Sequence, residues 1–296
     1  MTDIQKVGVV GCGLMGRGIA QVCAAAGYET VVREIAQEPL DRGMAAIEKG
    51  LDRAVERGKM EESARDATLA NLRGTTALDD LFDADIVIEA IVEDIDAKNE
   101  LFGKLDAGCP EETMFASNTS SLTVTEMAAA TERADRFVGL HFFNPVPVMK
   151  LVEVVRTGAT SDAAFDRAFE FARSLGKEPI ACRDNSGFVV NRLLVPYMLD
   201  AIRAYEEGIG SIEDIDKGMT LGTGYPMGPF TLGDFVGLDT LYYITEIMYD
   251  EYREKRFAAP PLLKRMFQAG QHGRKSGRGF YDYSGETPVV NDFVKR

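Results

Sequence analysis

Residues 7–16 read Val7-Gly8-Val9-Val10-Gly11-Cys12-Gly13-Leu14-Met15-Gly16, and a helix-prone stretch from Ile19 to Ala26, closed by Gly27, follows them. An apolar run that passes through G-x-G-x-x-G into a helix is how α/β proteins seat a dinucleotide pyrophosphate on a helix N-terminus. Gly11 allows the tight turn, Gly13 lets the backbone approach the phosphates, and Gly16 lets helix and strand pack closely. Leu14 and Met15 complete the loop and count with the three glycines as cofactor-binding residues. The next apolar run ends at Glu34. That is roughly 20 residues beyond the start of the fingerprint, where an acidic side chain hydrogen-bonds the ribose 2′-hydroxyl. A carboxylate there selects NAD. Arg33, beside it, is the residue type that pairs with a 2′-phosphate, so NADP is not excluded.

Working outward, apolar runs rich in Val and Ile recur at 6–11, 30–34, 86–90, 114–117, 137–141 and 151–155. Gly or polar residues bound each, as expected of buried parallel strands. Between them lie amphipathic segments. In 162–175, for example, Phe165, Ala168, Phe169, Ala172 and Leu175 recur at helical spacing. The reading is a doubly wound, mostly parallel α/β sheet of Rossmann type. Past Asp184-Asn185-Ser186-Gly187 the chain reads as helices separated by Gly/Pro turns, with an irregular tail at 270–283. We expect a dinucleotide-binding domain over 1–186 and an all-helical domain over 187–296.

The 296 residues suit two domains, and 45% hydrophobic with 27% charged residues is ordinary globular composition. A formal charge of −14 argues against nucleic acid as a partner. Apolar runs are all too short for a membrane span, and the first ten residues lack the basic and apolar regions of a signal peptide. The expected location is the cytoplasm. Cys12, Cys23, Cys109 and Cys182 form no CxxC pair and no zinc-like spacing with the two histidines, so we expect reduced thiols and no metal.

With two histidines in the chain, histidine chemistry has few candidates. His141 closes the run 137–141 and opens Phe142-Phe143-Asn144-Pro145-Val146-Pro147. Strand ends are where such sheets place functional groups, although a lone histidine there is also a common structural residue. Glu153 lies inside Lys150-Leu151-Val152-Glu153-Val154-Val155, otherwise an apolar strand. A buried carboxylate is costly unless paired. A hairpin-like return across 144–149 brings it beside His141, and the pair then suits a general base. The alternative is a salt bridge made elsewhere. The polar run Ser117-Asn118-Thr119-Ser120-Ser121 supplies donors for a ligand, or else a turn and an N-cap for the next helix. Asn191 shares a helical face with Leu194, Val195, Met198 and Ile202, as a ligand-binding amide or as a satisfied structural one.

Taken together, the sequence resembles the 3-hydroxyacyl-CoA dehydrogenases, most closely their short 3-hydroxybutyryl-CoA-type members. The likeness runs almost end to end. It is carried by GCGLMGRGIAQ at 11–21, IEAIVED at 88–94, ASNTSSL at 116–122, HFFNPVPVMKLVEVV at 141–155, GFVVNRLLVPY at 187–197, YPMGPFTLGDFVGLD at 225–239 and GRKSGRGFYDY at 273–283. The resemblance implies NAD-dependent oxidation of a (3S)-3-hydroxyacyl-CoA to the 3-oxoacyl-CoA, and the reverse, in a homodimer formed by the helical domains, with the active site between the domains. It makes His141 the general base, Glu153 its partner, and Ser120 and Asn191 the groups that bind the reacting oxygen. It places Glu93, Lys98 and Asn118 on the nicotinamide side of the cofactor and Glu34 at the adenosine ribose, and counts Asn144 with the cofactor contacts. Glu34 departs from the Asp of many relatives.

Contacts to the acyl-CoA substrate are implied in the first long helix region, at Arg57 and Lys59. There Arg42, Lys49, Arg53 and Arg57 share a face, but Glu48, Asp52 and Glu56 run alongside, so a solvated charged helix is an equal reading. Two rivals differ in their residues. Dehydrogenases of the 3-hydroxyisobutyrate or 6-phosphogluconate type use a lysine on the interdomain helix, and no lysine lies between Lys177 and Lys217. A crystallin-like relative without turnover would not need His141 and Glu153.

Overall fold

The fingerprint strand β1 (Lys6–Val10) lies inside an eight-stranded sheet, between β2 (Glu29–Arg33) and β4 (Ile86–Glu89). A computed structural model describes residues 3–295. From β1 the chain runs through α1 (Leu14–Ala25), β2 (Glu29–Arg33), α2 (Gln37–Glu56), α3 (Glu62–Ala70) and β3 (Leu72–Thr75). It returns through β4 (Ile86–Glu89), α4 (Ile95–Gly108), β5 (Met114–Ser117), α5 (Val124–Ala129) and β6 (Phe137–Phe142). Then come β7 (Leu151–Arg156), α6 (Asp162–Ser174) and β8 (Glu178–Arg183).

Strand order is β3-β2-β1-β4-β5-β6-β7-β8, and every pairing is parallel except β6 with β7. The order reverses between β1 and β4, which makes the crevice beyond their carboxyl ends the ligand position of a doubly wound sheet. Val10 pairs with Arg33 on one side and Glu89 on the other, Glu89 with Ser117, and Ser117 with Gly139. The segments beginning at Gly11, Glu34, Ala90 and Asn118 therefore leave the sheet along one edge. β7, running the other way, begins at that edge.

Alternation assigns side chains to two cores. Val7, Val9, Ile86, Ile88, Met114, Ala116, Val138, Leu140, Val152 and Val154 face one layer of helices. Val10, Val87, Phe115, Phe137 and Val155 face the other, where Phe102, Leu105 and Met127 of α4 and α5 cover them. Glu89, Ser117, His141 and Glu153 have the parity of this second face.

The expected strands and the expected helix at 162–175 are present within a residue or so of their bounds. Two strands are additional, β3 and β8, and they are the edges of the sheet.

The chain divides into two units, one up to Phe188 and one from Val189. By this division Gly187 and Phe188 fall in the first unit, two residues past the boundary expected at 186, and Phe188 packs in that unit's core. Asp184 explains the tie. Its carboxylate accepts from the N–H groups of Val124 and Thr125 at 3.0 and 2.6 Å, capping α5. Ser186 Oγ donates to the Ser121 carbonyl at 2.8 Å.

The second unit contains α7 (Val190–Glu206), α8 (Ile212–Thr223), α9 (Pro229–Val236), α10 (Leu238–Tyr252) and α11 (Pro261–Gln268). Its tail corrects the all-helical expectation in one detail: β9 (Tyr281–Asp282) and β10 (Val289–Val290) form an antiparallel ribbon. Asp216 and Asp234 tie this tail to the helices. Asp216 accepts from the N–H groups of Phe230 and Thr231 and from the Tyr281 hydroxyl. Asp234 accepts from the N–H groups of Phe280 and Tyr281 and from the Tyr283 hydroxyl. All four cysteines are free thiols and buried.

Candidate active site

Gly13 is the N-cap of α1, and no side chain caps the helix. A Cβ placed at Gly13 would meet nothing within 4 Å, so the approach to the helix N-terminus is open. Gly11 has φ +96°, and a Cβ there would lie 2.5 Å from the Ala90 carbonyl oxygen, so the turn and its approach to the next strand both require glycine. Gly16 is pressed so closely on the Gly11 carbonyl that any side chain would collide. Leu14 is exposed beside them. An uncapped 12-residue helix behind an open glycine fits a pyrophosphate.

Glu34 bends back over this loop. Its carboxylate accepts from the N–H of Cys12 at 2.9 Å and from that of Ile35 at 2.7 Å. Arg33 points elsewhere, its Nε donating to the Thr76 carbonyl at 3.3 Å. The group at the fingerprint is thus the carboxylate, which repels a 2′-phosphate. Two apolar side chains escaped the sequence reading: Ile35 and Val92, 76% and 70% exposed, stand just beyond β2 and β4. Large apolar side chains in water at a crevice mouth suit the flat face of a base.

His141 and Glu153 are directly opposed in the antiparallel β6–β7 pair, so their side chains share a face. His141 Nδ1 lies 2.7 Å from Glu153 Oε2. Glu153 is fully buried and His141 nearly so. An ionised carboxylate only accepts, which assigns the proton to Nδ1 and leaves Nε2 as the basic nitrogen. Phe143 and Phe188 pack on the imidazole with ring centroids 4.5 and 5.6 Å away. The Cys182 thiol lies 3.9 Å from the other Glu153 oxygen. The ring is fixed in tautomer and in plane, as a general base requires.

Within the run 117–121 the last three residues gather around Glu93, while Asp184 caps α5. Glu93 Oε1 accepts from Thr119 Oγ1 at 2.5 Å, from the Ser120 N–H at 3.1 Å and from Ser121 Oγ at 3.3 Å. Burial opposes its charge, but the Lys98 ammonium and these donors outweigh that and hold the carboxyl below its usual range. Lys98 Nζ lies 3.3 Å from Glu93 Oε2 and 2.5 Å from Glu89 Oε1. Asn118 Oδ1 accepts from the Phe142 N–H at 2.9 Å, which ties the end of β5 to the His141 strand. Asn144 is exposed in the loop after β6. Lys177 holds that loop, donating to the carbonyls of Val146 and Met149, the latter at 2.9 Å.

Asn191 sits in the first turn of α7, half-buried, with Val195, Met198 and Ile202 buried along its face. It belongs to the second unit. Arg57 caps the C-terminus of α2, and Lys59 follows; both are exposed. Two of the acidic residues running beside them are engaged by Arg65 of α3, which lies 2.9 Å from Asp52 and 3.7 Å from Glu48. Sequence reading missed Glu89, a fully buried charge at the end of an apolar strand. Among the described residues no His/Cys/Asp/Glu group could hold a metal, and no helix is long and apolar enough to cross a membrane.

A dinucleotide loop on a doubly wound sheet, with an oriented imidazole at the same edge, defines a nicotinamide-dependent dehydrogenase. Comparison with known proteins agrees. Residues 6–185 match the model of the 3-hydroxyacyl-CoA dehydrogenase NAD binding domain, and residues 187–283 match the C-terminal domain of the same family. The chain belongs to the 3-hydroxyacyl-CoA dehydrogenase family. It is 52% identical over 286 residues to a 3-hydroxybutyryl-CoA dehydrogenase of Mycobacterium tuberculosis, covering 96% of this chain and 100% of the relative. It is 48% identical to the mitochondrial hydroxyacyl-coenzyme A dehydrogenase of Homo sapiens, covering 95% and 91%. Among solved structures, the (S)-3-hydroxybutyryl-CoA dehydrogenase PaaH1 of Ralstonia eutropha superposes with a TM-score of 0.92 at 43% identity, covering 96% and 100%.

Proposed function

We propose that the protein oxidises (3S)-3-hydroxybutyryl-CoA, and related short (3S)-3-hydroxyacyl-CoA thioesters, to the 3-oxoacyl-CoA, and catalyses the reverse reduction. The observation that carries this reading is the 2.7 Å His141–Glu153 pair on the sheet edge that also bears the dinucleotide loop. When bound, NAD supplies the acceptor for the hydride that leaves C3. His141 Nε2 takes the hydroxyl proton in oxidation and returns it in reduction. Glu153 keeps Nδ1–H pointed away and offsets the positive charge that forms on the ring. Ser120 and Asn191 hold the oxygen as it passes between alcohol and carbonyl. Glu93, Lys98, Asn118 and Asn144 line the nicotinamide side of the cofactor, Glu34 takes the ribose, and Ile35 and Val92 flank the base. Arg57 and Lys59 meet the phosphates of the CoA nucleotide.

In this reading residues 1–186 carry the cofactor, and the helical remainder contributes to substrate binding and joins two chains into a dimer. The acyl preference follows the relatives named 3-hydroxybutyryl-CoA dehydrogenase, and the proposed setting is fatty-acid or butyrate metabolism in the cytoplasm. The test is NADH consumption with a panel of 3-oxoacyl-CoA substrates from four carbons upward. We expect the highest kcat/KM at four carbons; no turnover with any of the panel would reject the activity, and a long-chain optimum would reject the chain length.

A further inference from the structure

We propose that Glu89 is a positioning residue for this reaction, acting on the turn 119–121 that carries Ser120. The inference rests on the reading of Ser120 as a group that holds the reacting oxygen.

Glu89 ends β4 and is fully buried. Its two oxygens start two arms. Through Oε2 it accepts from Ser117 Oγ at 2.6 Å, and Ser117 Oγ accepts from the Thr119 N–H at 3.1 Å. Through Oε1 it accepts from the Ile91 N–H at 2.7 Å and from Lys98 Nζ at 2.5 Å. Lys98 reaches on to Glu93, and Glu93 collects Thr119 Oγ1, the Ser120 N–H and Ser121 Oγ. Both arms therefore meet at Thr119, the first on its N–H and the second on its hydroxyl, and the second also holds the Ser120 N–H and Ser121 Oγ.

A mere counter-ion for buried Lys98 would not need the first arm, which runs through a neighbouring strand. Two carboxylates share one ammonium, and the excess negative charge is met by N–H and O–H groups drawn from the turn. In a buried setting such fully satisfied networks fix geometry strongly, and loss of one charge leaves the others mismatched. Glu89 touches neither substrate nor cofactor in this scheme. It sets where the Ser120 backbone lies.

The experiment is a double-mutant cycle on the full chain, with acetoacetyl-CoA and NADH as substrates. Glu89→Gln keeps the shape and removes the charge. Alone, it should lower kcat by about tenfold or more while KM for acetoacetyl-CoA moves by less than about twofold. In a Ser120→Ala background the same change should cost less than about twofold, because residues acting through one another are not additive. An equal loss in both backgrounds would overturn the proposal and make Glu89 structural. A silent Ser120→Ala would instead remove the reading of Ser120 on which it rests. Should Glu89→Gln not fold, Ser117→Ala cuts only the first arm and should show the same non-additivity at a smaller loss; additive losses there overturn the proposal equally.

Discussion

Glu153 occupies Nδ1 of His141, so the chemistry falls to Nε2. His141→Gln should therefore cost about 10²- to 10⁴-fold in kcat/KM for oxidation, the usual worth of a general base. Glu153→Gln keeps a hydrogen-bonding group but no charge, and should cost less. Both variants should bind NADH as the wild type does, measured by fluorescence, because neither residue lies in the fingerprint. A Glu153→Gln enzyme with wild-type rates across the pH range would make the carboxylate purely structural. At the fingerprint, the Glu34 carboxylate rather than the Arg33 guanidinium faces Cys12. We therefore expect NAD(H) to be preferred to NADP(H) by about tenfold or more in kcat/KM, since one unfavourable charge contact is worth roughly 1.4 kcal/mol or above. Glu34→Ala should narrow the ratio, and equal use of both cofactors by the wild type would contradict the assignment.

Elements explain why glycines of one chain have opposite worth. Gly16 is clamped between α1 and the fingerprint turn, so Gly16→Ala must push the helix off the strand. Its expected cost is an overpacking loss of about 1–3 kcal/mol, with NADH affinity falling alongside. Gly50 and Gly103 lie in α2 and α4 with open space where a side chain would go. Gly50→Ala and Gly103→Ala should each stabilise by about 0.5–1 kcal/mol through helix propensity, with unchanged NADH binding. Chemical denaturation of the three variants checks this; a neutral Gly16→Ala would mean the turn is looser than its packing implies.

In the helical unit, burial pushes the Asp234 carboxyl up to about 6. An unfolded aspartate titrates near 4, so between those values the folded chain holds a proton that the unfolded chain has lost. This group's contribution to stability is greatest below the unfolded value and falls as pH rises to about 6. Asp234→Asn should remove that slope from Tm against pH. It should also cost about 1–3 kcal/mol at neutral pH, because an amide NH2 then faces one of the three donors.

Interior strands announced themselves because both faces are buried and nearly every residue is apolar. β3 and β8 did not: Leu72-Arg73-Gly74-Thr75 and Glu178-Pro179-Ile180-Ala181-Cys182-Arg183 are edges, partly exposed, and an edge tolerates charge and proline. The antiparallel return of β7 was readable from its short connection, and with it the His141–Glu153 contact. Glu89 was hidden because a charge at a strand end is ordinarily solvated. Only α4, delivering Lys98 from nine residues on, makes it a buried ion.

For the whole molecule, the distribution of exposed apolar side chains bears on assembly. In the second unit Leu193 of α7, Leu221 of α8, Tyr225 after it, Phe235 of α9 and Tyr243 of α10 are 46–76% exposed. Single exposed apolar residues are ordinary, and we propose that these, on the helices of one unit, are covered by another protein. The proposed occupant is a second copy of the chain. Two chains of formal charge −14 repel, so apolar burial must carry the association, and salt should tighten it by screening that repulsion. Sedimentation should give twice the 32.4 kDa chain mass, with dissociation on dilution more marked at low ionic strength. Leu221→Glu combined with Tyr243→Glu adds charge at exposed positions of α8 and α10 and should yield monomers that still bind NADH. A wild type that sediments as a single chain at every salt concentration would reject the dimer. Unchanged dimers in the double variant would place the contact on other elements.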